Sequence, residues 1–350
     1  MKKVALLLAI ASLSSTAYAV EGGQDVSWQD YPYLVESQCT GTVLGGKYVL
    51  LAGHCGASVS SPFPRMVSLS NQTDIMPVTR NAELYKKTGN DFVDIALWTL
   101  PQSVPTYKVA FIADLNAPET KVKLGNEISF IGFGRDNHIP KLGKAQTTVS
   151  WLIDNLSESA RFDYDSKSTQ GHSVPGDSGA PVLNANNRII GINTVGIPDQ
   201  AGFFHNGGER LRKAKDWLLQ NINAWHSPTE LMFTGDNTLD IQSLHVNPTN
   251  LAERQNNGTL TTGDVSVTGG TCLTDTIEPF GTCTLEMTAG QYEGKVILDD
   301  GNEITINRGK KPTPPIPPTP PTPKDGGSGG GSIGWLGLLG LLGCALRRKN

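Results

Sequence analysis

The stretch from Pro175 to Val182 reads PGDSGAPV. Taken alone, GDSG predicts only a good turn, because glycine and aspartate are favoured in turns. The serine within it, Ser178, has a hydroxyl that is a weak nucleophile. Such a hydroxyl becomes catalytic only when a base and a group that orients the base lie nearby. A reactive Ser178 therefore requires a histidine and an acid from elsewhere in the chain.

Two further stretches provide those groups. Residues 48–55 read YVLLAGHC, an apolar strand that runs into His54, and residues 94–100 read DIALWTL, in which Asp94 opens an apolar run. Alone, a histidine beside a cysteine is usually a packing residue, and an aspartate before a strand is often a turn residue. Together with Ser178 they form a candidate nucleophile, base and orienting acid in the chain order His, Asp, Ser.

That order and its flanks resemble the chymotrypsin/trypsin family of serine proteases. The resemblance runs from Val20 to Trp225, about 60% of the chain. It implies an all-β fold with two six-stranded β-barrels of chymotrypsin type over residues 20–225. Besides the three motifs, the matching features are the Cys39 and Cys55 pair around the histidine strand, Gly132-Phe133-Gly134, the segment Gly191 to Gly196, and an amphipathic helix near Leu211 to Leu219.

The resemblance also implies a role for each residue of the site. His54 takes the proton of Ser178 as the serine attacks a peptide carbonyl, and Asp94 holds the imidazole tautomer and stabilises the imidazolium. The backbone N–H groups of Gly176 and Ser178 form the oxyanion hole. The implied activity is that of a serine-type endopeptidase, which hydrolyses protein or peptide substrates through an acyl-enzyme and needs no cofactor.

An activating N-terminus is implied as well. In the family, a new N-terminus of the type Ile/Val-x-Gly-Gly folds inward and pairs with the aspartate before the catalytic serine. Val20 opens the sequence VEGG, and Asp177 is the matching partner. Residues 1–19 combine a lysine-rich start, an apolar run and a final AYA, which predicts a cleaved signal peptide. Signal removal itself would then free the activating amine; the alternative is that VEGG is a surface turn.

The predicted substrate pocket departs from that of trypsin. Trypsins carry Asp-Ser-Cys where this chain has His172-Ser173-Val174, so the predicted pocket floor bears His172 and no carboxylate. An arginine or lysine side chain would bury an uncompensated charge there, and a preference for either is not expected. A histidine floor favours acidic or amide side chains, or else the ring turns away. The other predicted pocket residues are Ser173, Thr194, Val195 in a wall position often held by tryptophan, and Gly196 and Gly202, which leave the mouth open.

Five cysteines leave two plausible pairs and one remainder. Cys39 and Cys55 flank an alternating run that predicts a hairpin. Cys272 and Cys283 lie 11 positions apart in a Thr/Gly-rich, β-like segment. Both pairs are predicted disulfides, and Cys344 is left over. The sequence has no CxxC pair, HExxH motif or acidic calcium loop, so no structural metal is expected.

Residues 227–308 are predicted to form a second, small domain. Short alternating runs without a helical period are separated by turn residues, the last turn at residues 299–302. About 80 residues of short strands predict an Ig-like β-sandwich, and the stretch weakly resembles bacterial surface Ig-like modules. A binding role and a spacer or stabilising role are both open.

The C-terminal end predicts a Pro/Gly-rich linker over residues 309–332 and a short apolar sorting or anchor helix over residues 333–350. The apolar segment ends in a cluster of basic residues, as positive-inside insertion requires. This tail resembles the Gly-Gly C-terminal sorting signals of Gram-negative bacteria, which a rhomboid-like protease processes at the cell surface. A permanent membrane anchor is the alternative. The expected route is type II secretion across both membranes, to the cell surface or the exterior.

The charge balance narrows the choice of partners. The net charge of −4, from 29 Lys and Arg against 33 Asp and Glu, excludes a strongly basic nucleic-acid binder. The main rival to a protease is a pseudo-protease that acts as an adhesin-like binding protein through residues 227–308. An intact triad argues against this rival, because a binding scaffold needs none of the three groups.

Overall fold

Several predicted segments lie outside the part of the chain that the structure describes. These are the signal peptide, Gly202, most of the linker and the sorting tail with Cys344. Among the described residues, no helix combines the length and the apolar character needed to span a bilayer. The computed structural model describes residues 20–57, 65–67, 73–75, 78, 80–84, 86–88, 91–134, 141–152, 161–167, 171–198 and 203–312.

The region that resembles a protease is built mainly of strands. Its helices are α1 (Gly53–Ala57) and α2 (Lys215–Ile222), with 3-10 turns at Trp28–Asp30, Pro118–Thr120 and Leu211–Ala214. Its strands are β1 (Gln24–Val26), β2 (Leu34–Glu36), β3 (Thr40–Leu44), β4 (Tyr48–Leu51), β5 (Arg65–Val67), β6 (Thr73–Ile75), β7 (Arg80–Glu83), β8 (Lys86–Thr88), β9 (Asp91–Val93), β10 (Ala96–Thr99), β11 (Glu127–Gly132), β12 (Leu142–Leu152), β13 (Arg161–Lys167), β14 (Pro181–Asn184), β15 (Ile189–Pro198) and β16 (Phe203–Arg210).

These strands form two sheets, of which one closes into a six-stranded barrel and the other makes a half-barrel where a second six-stranded barrel was predicted. The first runs β6-β5-β2-β3-β4-β10-β7 and makes a half-barrel, with β8 and β9 paired separately. The second runs β1-β12-β11-β14-β15-β16-β13, and β12 also pairs with β13, which closes six strands into a barrel. The all-β, chymotrypsin-type fold predicted from the sequence is confirmed.

The amphipathic helix expected near residues 211–219 is present. A 3-10 turn leads into α2, whose apolar side chains Leu218, Leu219 and Ile222 are buried. The helix ends at Asn223, which adopts a left-handed conformation (φ 43°) and donates its N–H to the carbonyl of Leu219 at 2.9 Å. Asparagine is one of the residues that tolerate this conformation at a helix end.

A third sheet follows. Its strands are β17 (Trp225–His226), β18 (Glu230–Leu231), β19 (Gly235–Ser243), β20 (Thr261–Gly269), β21 (Thr282–Asp299) and β22 (Asn302–Ile306). The sheet runs β17-β19-β21-β22-β18, and β20 pairs with β21. Two short helices, α3 (Ala252–Asn256) and α4 (Thr271–Thr274), flank it.

The Ig-like sandwich predicted for this part of the chain is not confirmed. The strands form one sheet because the 18-residue β21 pairs with β19 through its first half, with β22 through its second half and with β20 along both. Strands β18 and β22 run parallel. The sheet has its own apolar core, in which Ile241, Leu285, Val296 and Ile304 are fully buried.

Both predicted disulfides are formed. Cys39 bonds to Cys55 across 16 positions, and Cys272 bonds to Cys283 across 11, which ties α4 to β21. In the chain-entropy model, a bridge that closes a loop of about 15 residues contributes about 3 kcal/mol.

Buried side-chain hydrogen bonds join the third sheet to the segment that connects β10 and β11. The amide of Gln242 accepts the N–H of Ile112 at 2.9 Å and donates to the Ile112 carbonyl at 2.6 Å. Earlier in both segments, the hydroxyl of Thr229 accepts the N–H of Thr106 at 2.8 Å. Gln242 is fully buried, so removing its amide would leave two backbone groups of Ile112 without partners in an apolar setting.

A buried histidine belongs to the same contact. The Nδ1 atom of His226 accepts the N–H of Gly45 at 3.0 Å, so its Nε2 donates to the carbonyl of Ala110, 3.1 Å away. This pattern fits only the neutral imidazole, because a second proton on Nδ1 would face the N–H of Gly45. Burial lowers the pKa of His226 to about 4.

The protein should therefore lose stability as the pH falls from 6.5 towards 4. In this window unfolded His226 binds a proton that the folded chain rejects, so stability rises with pH. A pKa lowered from 6.5 to about 4 corresponds to a loss of about 3 kcal/mol at the acid end. Thermal melts between pH 4 and 7.5 measure it. His226→Gln should show a smaller pH dependence, and His205→Gln on the exposed end of β16 should not. Equal pH dependence in all three proteins would contradict the assignment.

Candidate active site

The pairing of β4 with β10 brings the histidine and the first acid together. In this antiparallel pair Ala96 lies opposite Leu51. If this register is extended beyond the strand ends, Asp94 lies opposite Gly53, the first residue of α1 and the neighbour of His54. The Asp94 carboxylate accepts the backbone N–H of His54 at 2.7 Å, and its second oxygen lies 2.6 Å from the Nδ1 of His54. The Asp94 side chain is 4% exposed and that of His54 is 42% exposed, so the acid is buried behind a ring that reaches the surface.

The turn that carries Ser178 packs against the strand before His54. The Ser178 carbonyl accepts the N–H of Thr40 at 2.9 Å and lies 4.0 Å from the Sγ of Cys55, the neighbour of His54. Gly179 has a φ of +85°, and a Cβ there would lie 2.2 Å from the Thr40 carbonyl oxygen and 2.9 Å from the Ala52 nitrogen. Only glycine allows this approach. The structure thus brings the three predicted motifs to one place.

Thr40 is a supporting residue that the sequence motifs missed. Its buried hydroxyl donates to the Gly176 carbonyl at 3.0 Å and accepts the N–H of Phe133 at 3.0 Å. These two bonds fix the peptide that leads into the serine turn. Gly176 itself has a φ of +106°, a conformation that glycine adopts readily. No local signal distinguishes Thr40 from other strand threonines, since its partners are distant in sequence.

Asp177 is fully buried, and its carboxylate is surrounded by backbone donors. Its carboxylate accepts the N–H of Gly134 at 2.8 Å, the N–H of Val174 at 2.9 Å and a backbone N–H from Val20. Val20 is also fully buried. Burial raises the pKa of Asp177 to about 7, although the backbone donors act in the opposite direction.

Near the predicted pocket, His172 lies against the N-terminal segment. The backbones of His172 and Glu21 form a β-bridge, and the Nε2 of His172 is 3.5 Å from a Glu21 carboxylate oxygen. Burial lowers the pKa of His172, while Glu21 acts in the opposite direction. Of the two expectations for this ring, a pocket floor or a ring turned away, the contact with Glu21 favours the second.

The remaining pocket residues occupy two neighbouring chain segments. Ser173 is 4% exposed, and Thr194, Val195 and Gly196 lie in β15. A Cβ on Gly196 would lie 2.3 Å from the Ser173 carbonyl oxygen. The two segments are therefore in contact at this point, where the sequence predicted an open mouth. Gly202 lies outside the described residues.

A further buried acid escaped the sequence motifs. Glu209 in β16 is 1% exposed. Burial raises its pKa to about 8, and the negative charge of Asp94 acts in the same direction. The positive charges of Arg161 and Arg210 act in the opposite direction.

The site offers little to a metal ion. Cys39, His54 and Cys55 bring three ligand-type atoms within 4.8 Å of one another. Both sulfurs are consumed in the disulfide, however, and a disulfide supplies no thiolate ligand.

Comparison with known proteins found two similar solved structures and one matching family model. Among solved structures, the VesB protease of Vibrio cholerae is similar, with 19% identity and a TM-score of 0.46 over 81% of this chain and 96% of that one. Human heparin binding protein is similar at 15% identity and a TM-score of 0.48, over 57% of this chain and 95% of that one. The trypsin family model matches residues 20–218, more than half of the sequence. The chain belongs to the trypsin family of serine proteases.

Proposed function

We propose that the protein is an endopeptidase that forms its acyl-enzyme on Ser178. The observation that carries the proposal is the double hydrogen bond of Asp94 to His54, at 2.7 and 2.6 Å, beside the serine turn. A buried carboxylate in this place orients the imidazole and stabilises the imidazolium that forms when the serine proton moves.

In the proposed reaction, His54 acts first as a base and then as an acid. Because Nδ1 faces Asp94, Nε2 is the nitrogen that takes the proton of Ser178 and later returns it to the departing amine. Water then attacks the acyl-enzyme by the same route. The carbonyl oxygen of the substrate binds to the backbone N–H groups of Gly176 and Ser178, and one such donor is typically worth about 2.7–4 kcal/mol.

We further propose that a free amine at Val20 activates the enzyme. The contact between Val20 and the buried Asp177 supports this, since both residues lie inside the protein and the bond already joins them. A positively charged amine in this position would neutralise the negative charge of the buried Asp177 carboxylate. The AYA sequence at residues 17–19 places the predicted signal cleavage directly before Val20.

We also propose that the protein is exported from the cytoplasm. The disulfides Cys39–Cys55 and Cys272–Cys283 support an oxidising compartment. The proposed route is type II secretion to the cell surface, where a rhomboid-like protease removes the tail. The intact mass of the surface protein should then correspond to a chain that begins at Val20 and lacks residues 333–350.

An active-site label tests the catalytic proposal. A biotinylated fluorophosphonate bonds to an activated serine and releases fluoride, whatever peptide the enzyme prefers. Peptide mapping should place the label on Ser178, and peptide cleavage should fall in proportion to labelling. A folded chain with Val20 free that takes up no label would contradict the proposal and would favour a binding role for residues 227–308.

A further inference from the structure

A buried asparagine lies directly beneath the proposed nucleophile. The carbonyl of Asn193 accepts the N–H of Gly179 at 2.7 Å, and its side-chain amide donates to the Asp177 carbonyl at 3.0 Å. These bonds hold Asn193 against the residues on either side of Ser178. The second hydrogen of the same amide group goes to the hydroxyl of Ser173, 2.7 Å away. Asn193 thus joins the serine turn to the pocket segment.

The polar groups around Asn193 bond to one another. The Tyr164 hydroxyl donates to the side-chain oxygen of Asn193. The side-chain oxygen of Asn206 accepts the N–H of Ser173 at 2.8 Å, and its amide nitrogen donates to the Tyr164 carbonyl at 3.2 Å. We call these four residues the amide floor. Tyr164, Asn193 and Asn206 are 0% exposed and Ser173 is 4% exposed. The amide floor carries no charge, since burial raises the pKa of Tyr164 well above its usual value.

The nearby charged side chains have bonding partners of their own. Arg161 and Asp163 alternate with Tyr164 along β13, and successive residues of a strand point to opposite faces of the sheet. The Nε of Arg161 bonds to Asp163 at 2.9 Å on that opposite face. The carboxylate of Asp177 is occupied by backbone N–H groups, and His172 lies against Glu21. The negative charges of Asp177 and Asp163 are still close enough to the amide floor to add to the raised pKa of Tyr164.

The segment that carries Ser173 lies close against β15. Gly196 of β15 packs on Ser173, where an added Cβ would lie 2.3 Å from the carbonyl oxygen and 2.9 Å from the Ser173 Cβ. On the other face, Val195 packs over Gly207, where an added Cβ would meet the Cγ1 of Val195 at 2.8 Å. The segment that carries Ser173 and strand β15 are therefore held close together, and a long substrate side chain would have to separate them.

We infer that this site selects substrates with a small, uncharged residue before the scissile bond, namely alanine, serine, threonine or valine. The inference rests on the proposed function. A guanidinium or ammonium group placed on the amide floor would lose its water without gaining an opposite charge. A bulky aromatic residue would have to part Gly196 from Ser173.

A set of matched peptides tests the inference on the full mature chain beginning at Val20. The peptides differ only in the residue before the scissile bond, which is alanine, serine, glutamine, glutamate, phenylalanine, lysine or arginine. We expect kcat/KM for alanine or serine to exceed that for arginine or lysine by about 10²-fold or more. Equal or faster cleavage after any of the other five residues would overturn the inference. Fluorophosphonate labelling of the same sample separates the two claims: a labelled enzyme that prefers arginine refutes only the specificity, whereas an unlabelled one refutes both.

A carboxylate introduced into the amide floor gives a second test. Asn206→Asp keeps an oxygen to accept the Ser173 N–H, replaces the donor to the Tyr164 carbonyl by a second oxygen and, when ionised, adds a negative charge. It should raise cleavage after arginine or lysine, relative to alanine, by about tenfold or more. Asn184→Asp is the matched control, because its side-chain oxygen also accepts backbone N–H groups, from Asn186 and Arg188, but lies at the end of β14. If Asn206→Asp is labelled as fast as the parent chain and its ratio of cleavage after arginine or lysine to cleavage after alanine is unchanged, the amide floor does not line the pocket.

Discussion

Replacing Ser178 by alanine should lower kcat for peptide hydrolysis by about 10⁶-fold, the size found when the serine of an equivalent triad is removed. The loss follows because no other group in the turn can carry the acyl intermediate. The fold should survive, since the structural bond of Ser178 is made by its carbonyl, which accepts the N–H of Thr40. Steady-state kinetics with a good peptide, together with a thermal melt, measure both effects.

Asp94→Asn should give a smaller loss, about 10⁴-fold in kcat, as reported for this change in the trypsin triad itself. The asparagine oxygen can still accept the backbone N–H of His54, but its amide group would donate to Nδ1 and leave His54 in the wrong tautomer. Asp216→Asn, in the exposed part of α2, is the matched control and should leave kcat unchanged.

A Ser178→Ala protein that keeps kcat within tenfold of the parent would refute the assignment of the nucleophile.

A chain that begins one residue early, at Ala19, should be about 10²- to 10³-fold less active than one that begins at Val20. The extra residue turns the Val20 amine into a neutral amide and leaves the Asp177 charge unpaired. Removing one partner of a buried ion pair costs about 3–5 kcal/mol. The measurement is kcat/KM on one peptide with both chains, corrected by active-site titration.

Val20→Ile with a free amine is the control for this comparison, because it changes the side chain and keeps the charge. It should remain within a few-fold of the parent, and Asp177→Asn should fall with the extended chain. If the chain from Ala19 is as active as the chain from Val20, the activation proposal is wrong.

The same pair of chains should differ in their response to pH. With an amide at Val20, burial raises the pKa of Asp177 to about 7, so the folded chain favours the protonated acid. The associated stability is present below the ordinary value of 3.8 and is lost as the pH rises through 7. A free amine opposes this loss by stabilising the carboxylate. The stability advantage of the chain from Val20 should therefore grow between pH 4 and pH 7.

Much of the site could be predicted from short motifs. His54, Asp94 and Ser178 each lie at a strand end or a turn that is recognisable locally, and their order identified the family. The alternating runs at residues 264–267 and the turn at residues 299–302 also appear where the pattern indicated.

The missed features depend on contacts between distant parts of the chain. Alternation shows which side of a strand is buried but not which strand pairs with it. The single sheet around β21 and the parallel pairing of β18 with β22 therefore had no local signal. Thr40 and Gln242 were missed for a similar reason, since their partners lie 93 to 136 and 38 to 130 positions away. The amide floor joins residues from four separate segments, which no spacing rule relates.

The family resemblance stops before the folding unit does. The trypsin match ends at residue 218, but the N–H groups of Gly45, Thr106 and Ile112 inside the matched part are satisfied by side chains from residues 226–242. A protein that ended at residue 218 would therefore leave these three backbone N–H groups without their hydrogen-bond acceptors. The added sheet is thus part of the same folding unit as the protease region, because its side chains complete the hydrogen bonding of that region.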